Sequence, residues 1–431
     1  MLKAYQYNQL SHSDLQELIQ RNSDSDDQVK EIVEGIIERV RLEGDAALKS
    51  FALQFDGTEL DHLAVEKEEI ALLATTLPDF QQEALRTAFT NIHKFHLAQL
   101  RKEEAVETME GVNCWREMRA IERVGLYIPG GTAVLPSTFL MLGIPARLAG
   151  CKEIIVCSPA RQGRLNAAIA YCAQLLNIDR IFLTGGAQAI AAMAYGTESI
   201  SKVDKIFGPG NQFVTKAKTI IQSSTQTAID MPAGPSEVLV IADDTANPTF
   251  IAADLLAQAE HGIDSQVVLV STSGEMVENV KKEMEKQLPL LPRCEIAAKA
   301  IANSYAVILS SLSEAMDFSN LYAPEHLILA TDNWQQITGK IVNAGSVFLG
   351  HLTPESVGDY ASGTNHTLPT SSYARSYSGV SVDSFVKKIT FQHITEIGIK
   401  NLGPTVEILA DLEGLQAHKN AVTVRLNKID N

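Results

Sequence analysis

Apolar residues recur every three or four positions through residues 26–99, as in Val29-Lys-Glu-Ile-Val-Glu-Gly-Ile-Ile-Glu-Arg-Val. That spacing predicts amphipathic helices. Residues 111–119 alternate instead and read as a hairpin or edge strand. The texture changes at Val124. Short apolar runs (Val124-Gly-Leu-Tyr-Ile, Glu153-Ile-Ile-Val-Cys, Arg180-Ile-Phe-Leu-Thr, Lys205-Ile-Phe) are separated by helix-like segments at 137 onward, 165–176, 187–195 and near Phe213. A second series follows: Glu237-Val-Leu-Val-Ile, Gln266-Val-Val-Leu-Val, Ala306-Val-Ile-Leu, His326-Leu-Ile-Leu-Ala and Gly345-Ser-Val-Phe-Leu. Strands alternating with helices predict parallel sheets covered on both faces. Two α/β modules therefore lie in tandem, with related patterns but no exact repeat. The first 24 residues are polar and read as an arm, and the segment from Val382 is too short to build its own core, so it must dock on something.

At 431 residues the chain can bury two or three cores. Its apolar share of 45% and charged share of 20% fit an ordinary globular protein. A net charge of −16 argues against nucleic acid or an anionic membrane as partner, since both demand clustered Lys and Arg. The N-terminus has no apolar signal-peptide region, and no run is long enough to span a bilayer. Five cysteines without a Cys-x-x-Cys pair suggest reduced thiols and a cytoplasmic enzyme.

Three loops at predicted strand ends carry glycine: Ile128-Pro-Gly-Gly, Thr184-Gly-Gly-Ala-Gln and Phe207-Gly-Pro-Gly-Asn. Glycines there let backbone N–H groups approach a phosphate, and a helix N-terminus favours its charge. Any one such turn is common for steric reasons. Three in one module favour a dinucleotide, in a geometry without the usual G-x-G-x-x-G fingerprint. Further on, Gln258 and His261 lie three apart in a helical pattern, so an amide oxygen and an imidazole can reach one metal ion. Alone, such a pair is more often a solvated helix face. Further ligands would have to come from elsewhere, and Asp359 and His418 are candidates.

The wording of several segments is more specific. Gly125-Leu-Tyr-Ile-Pro-Gly-Gly, Gly208-Pro-Gly-Asn, Asp230-Met-Pro-Ala-Gly-Pro-Ser-Glu-Val-Leu-Val, Leu255-Leu-Ala-Gln-Ala-Glu-His-Gly, Ala323-Pro-Glu-His-Leu, Asn365-His-Thr-Leu-Pro-Thr and Glu413-Gly-Leu-x-x-His418 occur in this order. In these motifs the chain resembles the histidinol dehydrogenase family over nearly its whole length. The resemblance implies two tandem Rossmann-like doubly wound domains, aldehyde-dehydrogenase-like in plan, with a helical N-terminal region. The expected division is an arm at 1–25, a first α/β domain from 26–126 and 237–380 with the metal and catalytic residues, an NAD-binding domain at 127–236, and a tail at 381–431.

The resemblance further implies a homodimer with shared sites, its tail crossing to the partner subunit, one Zn²⁺ per subunit, and oxidation of L-histidinol through histidinal to L-histidine by two NAD⁺. It assigns zinc to Gln258, His261, Asp359 and His418, and NAD contacts to Tyr127, Gln188 and Asn211. Substrate contacts fall to Ser236, His366 and Glu413 beside the metal ligands and His326, and catalysis to Glu325 and His326. One carboxylate, two neutral imidazoles and an amide leave Zn²⁺ a formal charge of +1, with room for the imidazole and amine of histidinol. Ligand type alone does not exclude Mn²⁺ or Co²⁺. Neutral imidazole suits His326 to take a hydroxyl proton near pH 7, and Glu325 to activate water at the aldehyde stage. Adjacent strand residues face opposite ways, so both reach one substrate only if the backbone bends near Pro324. His12, His62, His93, His96, His351 and His393 read as surface or core residues. Three rivals remain: a cysteine nucleophile at Cys151 or Cys157, a dehydrogenase of another amino or hydroxy alcohol, and a non-enzymatic metal-binding scaffold.

Overall fold

The computed structural model describes residues 2–21, 27–130, 134–160 and 163–430. Two six-stranded sheets dominate it. The first runs in the order Ala64–Glu66, Arg180–Phe182, Glu153–Cys157, Arg123–Tyr127, Lys205–Phe207, Ala228–Ile229, and only its outer strand at 64–66 is antiparallel. The second is wholly parallel: Lys3–Gln6, Tyr305–Ile308, Gln266–Ser271, Glu237–Ala242, His326–Ala330, Ser346–Leu349. Leaving aside the outer strands at 64–66 and 3–6, both sheets follow the sequence order 3-2-1-4-5, the winding of a mononucleotide-binding half. The doubly wound pair expected from the sequence is present. Central strands such as 237–242 are buried at every position, which is why they read as continuous apolar runs rather than alternating ones.

The packing departs from the expected grouping in three places. Helices Asp27–Glu43, Asp45–Asp56 and Asp79–Leu97 bury Val33, Leu48, Phe51 and Ile92 in one core with Leu126, Val156 and Ile206. They therefore cover the first sheet, not the second with which 26–126 was grouped. The N-terminal residues are likewise not a loose arm: Lys3–Gln6 pairs in register with Tyr305–Ile308, and helix His12–Ile19 seats Ile19 in a core beneath the second sheet. A four-residue strand is too short for its pattern to show in sequence. The remainder of the expected arm, Met1 and 22–25, and Gly131 of the first glycine loop lie outside the described residues.

The third departure is the tail. Phe385 is fully buried and stacks on Phe207 at 3.9 Å between ring centroids. Val386–Ile394 then pairs antiparallel with Val112–Ala120 in a three-stranded sheet that includes Val106–Met109. Only after this do helices Glu396–Leu412 and Gln416–Asp430 pack on each other, with Gly403 against Leu426 and Val422. Their outer faces expose Ile397, Ile408, Leu409, Leu412 and Val424. No helix among the described residues is long and apolar enough to cross a membrane.

His96 is fully buried on helix 79–97, its Nδ1 2.9 Å from the Ile92 carbonyl. Burial holds its imidazole pKa below the ordinary value. The unfolded chain, with an ordinary pKa of about 6.5, therefore binds more protons than the folded one, and stability falls as pH drops through that range. Replacing His96 with Gln is expected to cost about 1–3 kcal/mol at pH 8. The variant's urea midpoint should then fall less than the wild type's between pH 7.5 and 5.5; parallel pH dependences would contradict this account of His96.

Candidate active site and metal centre

The first sheet turns back on itself between Arg123–Tyr127 and Lys205–Phe207, so its topological switch point lies at their carboxyl ends. Open α/β sheets bind ligands there. Tyr127 ends one of these strands, and its hydroxyl accepts from the Gly186 N–H at 3.2 Å. Gln188 is buried in the first turn of the helix that Gly186 opens. Asn211 caps the next helix, its side-chain oxygen accepting from Phe213 N at 3.1 Å and Val214 N at 3.2 Å, which leaves its amide –NH2 to point outward. The Gly208 loop is pinned from behind. Asp230 accepts from Gly208 N at 2.9 Å and pairs with the buried Lys218, which itself donates to the Gly208 carbonyl at 2.9 Å. Gly208 has φ +131°, and a Cβ there would run into the Tyr127 carbonyl, so only glycine fits. The three residues expected to touch NAD thus lie at or just beyond the carboxyl ends of strands of the first sheet.

In the second sheet the chemistry gathers at the opposite ends, where Glu237–Ala242 and His326–Ala330 begin. Helix Leu312–Tyr322 ends at Ala323 in a left-handed conformation (φ 54°), and Pro324 follows. Glu325 thereby precedes the strand while His326 starts it, which supplies the bend that both side chains need. The two lie against Glu237. The Glu237 N–H donates to the Glu325 carboxylate at 2.9 Å, and the Glu325 N–H donates back to the Glu237 carboxylate at 3.2 Å. His326 Nδ1 sits 3.2 Å from the Glu237 carbonyl. With Nδ1–H donating there, Nε2 is left as the basic nitrogen.

Four further groups close around that ring. Asp359 Oδ1 is 3.4 Å from His326 Nε2, and Glu355 Oε1 is 3.7 Å from Nδ1. Both come from the short helix Glu355–Tyr360. His261, Glu355 and Asp359 offer ligand atoms within 4.8 Å of one another. The fully buried Gln258 lies against Glu355 and Glu237, its amide –NH2 donating to the Glu355 carboxylate and its oxygen accepting from Glu237 N at 2.8 Å. Helix Pro248–Ala259 stops one residue short of Glu260, so His261 stands just beyond it, not on its face as the spacing predicts. A final turn, His261 N to Gln258 O at 3.3 Å, still brings the pair together before the chain reverses at Gly262 into strand 266–271.

Burial pulls the His326 pKa down, but the carboxylates of Glu355, Glu325 and Asp359 outweigh it and hold the ring well above its ordinary value. Burial pushes Glu325 and Glu355 each up to about 8. His261 is held low by the protein packed round its ring, even though much of the residue is open to solvent. The donor set suits a divalent cation: carboxylate, imidazole and amide oxygen are all zinc ligands or compatible with zinc. Asp359 Oδ1 is buried without a hydrogen-bond partner, an orphaned acceptor that a cation would satisfy.

Not every expected residue joins this cluster. Ser236 is adjacent, half-buried before Glu237. His366 is adjacent too, but both ring nitrogens are engaged, Nδ1 with the Asp359 carbonyl and Nε2 with Thr138 Oγ1, each at 2.8 Å. Glu413 and His418 stand exposed on the tail hairpin, and no described contact joins them to the cluster within this chain. Glu355, Glu237 and Arg21 were missed by sequence reasoning. Glu355 lies four residues before Asp359, the helical spacing that would have flagged it.

The histidinol dehydrogenase family model matches residues 19–426. A histidinol dehydrogenase of Bacteroides thetaiotaomicron is 54% identical over 414 residues, 96% of each chain. A chloroplastic one of Arabidopsis thaliana is 52% identical over 432 residues, covering 100% of this chain and 92% of its own. The crystal structure of a histidinol dehydrogenase from Elizabethkingia anophelis superposes with a TM-score of 0.96 at 52% identity, covering 100% of this chain and 99% of that one.

The cysteines are poorly placed for a nucleophile. Cys151, Cys157 and Cys172 are buried, and burial raises each thiol pKa, that of Cys151 to about 11. Such thiols are inert. Cys151→Ser and Cys157→Ser are each expected to keep turnover within about threefold of wild type; a loss of several orders of magnitude in either would restore the covalent route.

Proposed function

The chain belongs to the histidinol dehydrogenase family and is an NAD-dependent oxidoreductase that converts histidinol to histidine, and from that premise we propose a four-electron oxidation through histidinal at one zinc site. The observation that carries this reading is the convergence of Asp359, Gln258 and Glu325-His326 on one buried cluster with His261 at its open rim. Gln258, His261 and Asp359 would hold the metal, with His418 supplied by the tail of a second subunit. When bound, Zn²⁺ would orient the imidazole and amine of histidinol and offset the carboxylate field that otherwise keeps His326 protonated. Bound NAD⁺, held by Tyr127, Gln188 and Asn211, would accept one hydride at each oxidation.

The protein side chains move the protons. His326 Nε2 takes the hydroxyl proton as the carbinol carbon loses hydride, giving the aldehyde. Glu325 then takes a proton from water as its oxygen bonds to the aldehyde carbon. The resulting gem-diol monoanion loses the second hydride while His326, having released its first proton to solvent, accepts the remaining hydroxyl proton, and the product is a carboxylate. Ser236 and Glu413 are proposed substrate contacts, and His366 could join them only by exchanging its Thr138 partner. The exposed apolar face of the tail hairpin supports a homodimer in which each tail completes the other subunit's site. Five free cysteines are in keeping with a reducing compartment such as the cytoplasm.

Two NADH per histidinol consumed is the expected yield, and one would refute the four-electron reading. Glu325→Gln should slow oxidation of added histidinal at least tenfold more than oxidation of histidinol; equal slowing would remove the water-activating role. Hybrid dimers of an inactive His326→Asn chain and an inactive His418→Asn chain should regain part of wild-type turnover, because one of their two sites is intact. Verified hybrids without activity would exclude the shared site.

A further inference from the structure

Glu237 touches both proposed catalytic residues, through its N–H and carboxylate to Glu325 and through its carbonyl to His326. Whatever fixes Glu237 therefore fixes them. That anchor comes from the opposite end of the chain. Arg21 donates through Nε to Glu237 Oε2 at 2.8 Å and through Nη2 to Oε1 at 2.7 Å, a two-pronged pair with side-chain exposures of 9% and 2%. The guanidinium is itself held on every side. It donates to the Tyr322 carbonyl at 2.7 Å, to Ser372 Oγ at 2.7 Å and to the Ile19 carbonyl at 3.2 Å, and its carbon lies 3.5 Å from the Tyr322 ring centroid.

The backbone round this pair is strained. Among the described residues, the positive-φ non-glycine positions are Asn177, Ala323, Ser371 and Ser372. All but Asn177 border Arg21–Glu237: Ala323 follows Tyr322, and Ser371 precedes Ser372, whose hydroxyl accepts from Arg21. Left-handed backbone at non-glycine residues costs on the order of 1–3 kcal/mol each and persists where surrounding contacts over-determine it, commonly at functional sites. Three donors (Arg21 Nε and Nη2 and the Glu325 N–H) meet the Glu237 carboxylate, whose pKa burial pushes above its ordinary value against their pull.

We propose that Arg21 is a positioning residue: its fork on Glu237 locks the strand entry that aims Glu325 and presents His326 with Nδ1 engaged and Nε2 directed at the reacting atoms. The N-terminal segment is thus a working part of the active site, although it touches no substrate. The inference rests on the roles proposed for Glu325 and His326. It explains why the segment carries a strand, a helix and a buried guanidinium where its composition suggests only a polar arm. Lysine could keep the charge but not the fork.

The test uses the full-length zinc-loaded enzyme. Arg21→Ala is expected to lower kcat about a hundredfold, the scale of a 1 Å misplacement. Zinc per chain and KM for NAD⁺ should stay within about twofold of wild type. Arg21→Lys, or added guanidinium ion with the Ala variant, should recover about tenfold of the loss. A kcat within threefold of wild type for Arg21→Ala, or a loss that neither Lys nor guanidinium relieves, would overturn the proposal. If Arg21→Ala does not accumulate as folded protein, Arg21→Lys and Glu237→Gln decide: both should lower kcat with KM for NAD⁺ unmoved, and wild-type kcat in both would overturn it. His326→Asn reports separately on the underlying reading, since wild-type turnover in that variant would remove the base assignment and the positioning role with it.

Discussion

Three buried carboxylates, Glu325, Glu355 and Asp359, crowd round one imidazole, with a fourth, Glu237, bonded to Glu325, and the rest of the site is organised by the need to offset their charge. Removing a carboxylate from water costs several kcal/mol unless positive charge or hydrogen-bond donors replace the solvent. Each acid here has a different answer. Glu237 has Arg21 and the Glu325 N–H, and Glu325 has the Glu237 N–H and the nearby ring. Glu355 and Asp359 have His326 between them and His261 at the rim, which is where a divalent cation would complete the balance.

The two sheets share a winding but use it at opposite ends. The first offers its carboxyl-end switch point, with Tyr127, Gln188 and the Gly208 loop, as expected of a nucleotide-binding half. The second works at the amino ends of strands 237–242 and 326–330, where main-chain donors and the Ala323-Pro324 bend set the acids against the ring. Thr138, on the helix following Tyr127, meets His366 beside Asp359, so a hydrogen bond joins the nucleotide-side module to the metal cluster.

Much of this was legible in the sequence. Buried parallel strands announce themselves as unbroken apolar runs, and every strand predicted in the two series from Val124 onward is present within a few residues. The long segment motifs named the family. Short or non-local features were not legible. Helix Glu355–Tyr360 is short, and Glu355 went unnoticed although it stands one helical turn before Asp359. Strand Lys3–Gln6 looks polar because it is an edge, and Arg21 finds Glu237 across 216 residues, a pairing no local pattern encodes. The helices of 27–97 read correctly as helices, but periodicity does not say which sheet an amphipathic face will cover.

We propose that this acid-rich space binds one divalent cation through Gln258, His261 and Asp359. Anomalous diffraction at the zinc absorption edge, on crystals of the zinc-loaded full-length protein, tests it most directly. The account predicts a single strong peak per chain within bonding distance of those three side chains, approached by a histidine from the tail of a second copy. A fully loaded protein whose peak lies elsewhere, with Asp359 and His261 uncoordinated, would contradict it.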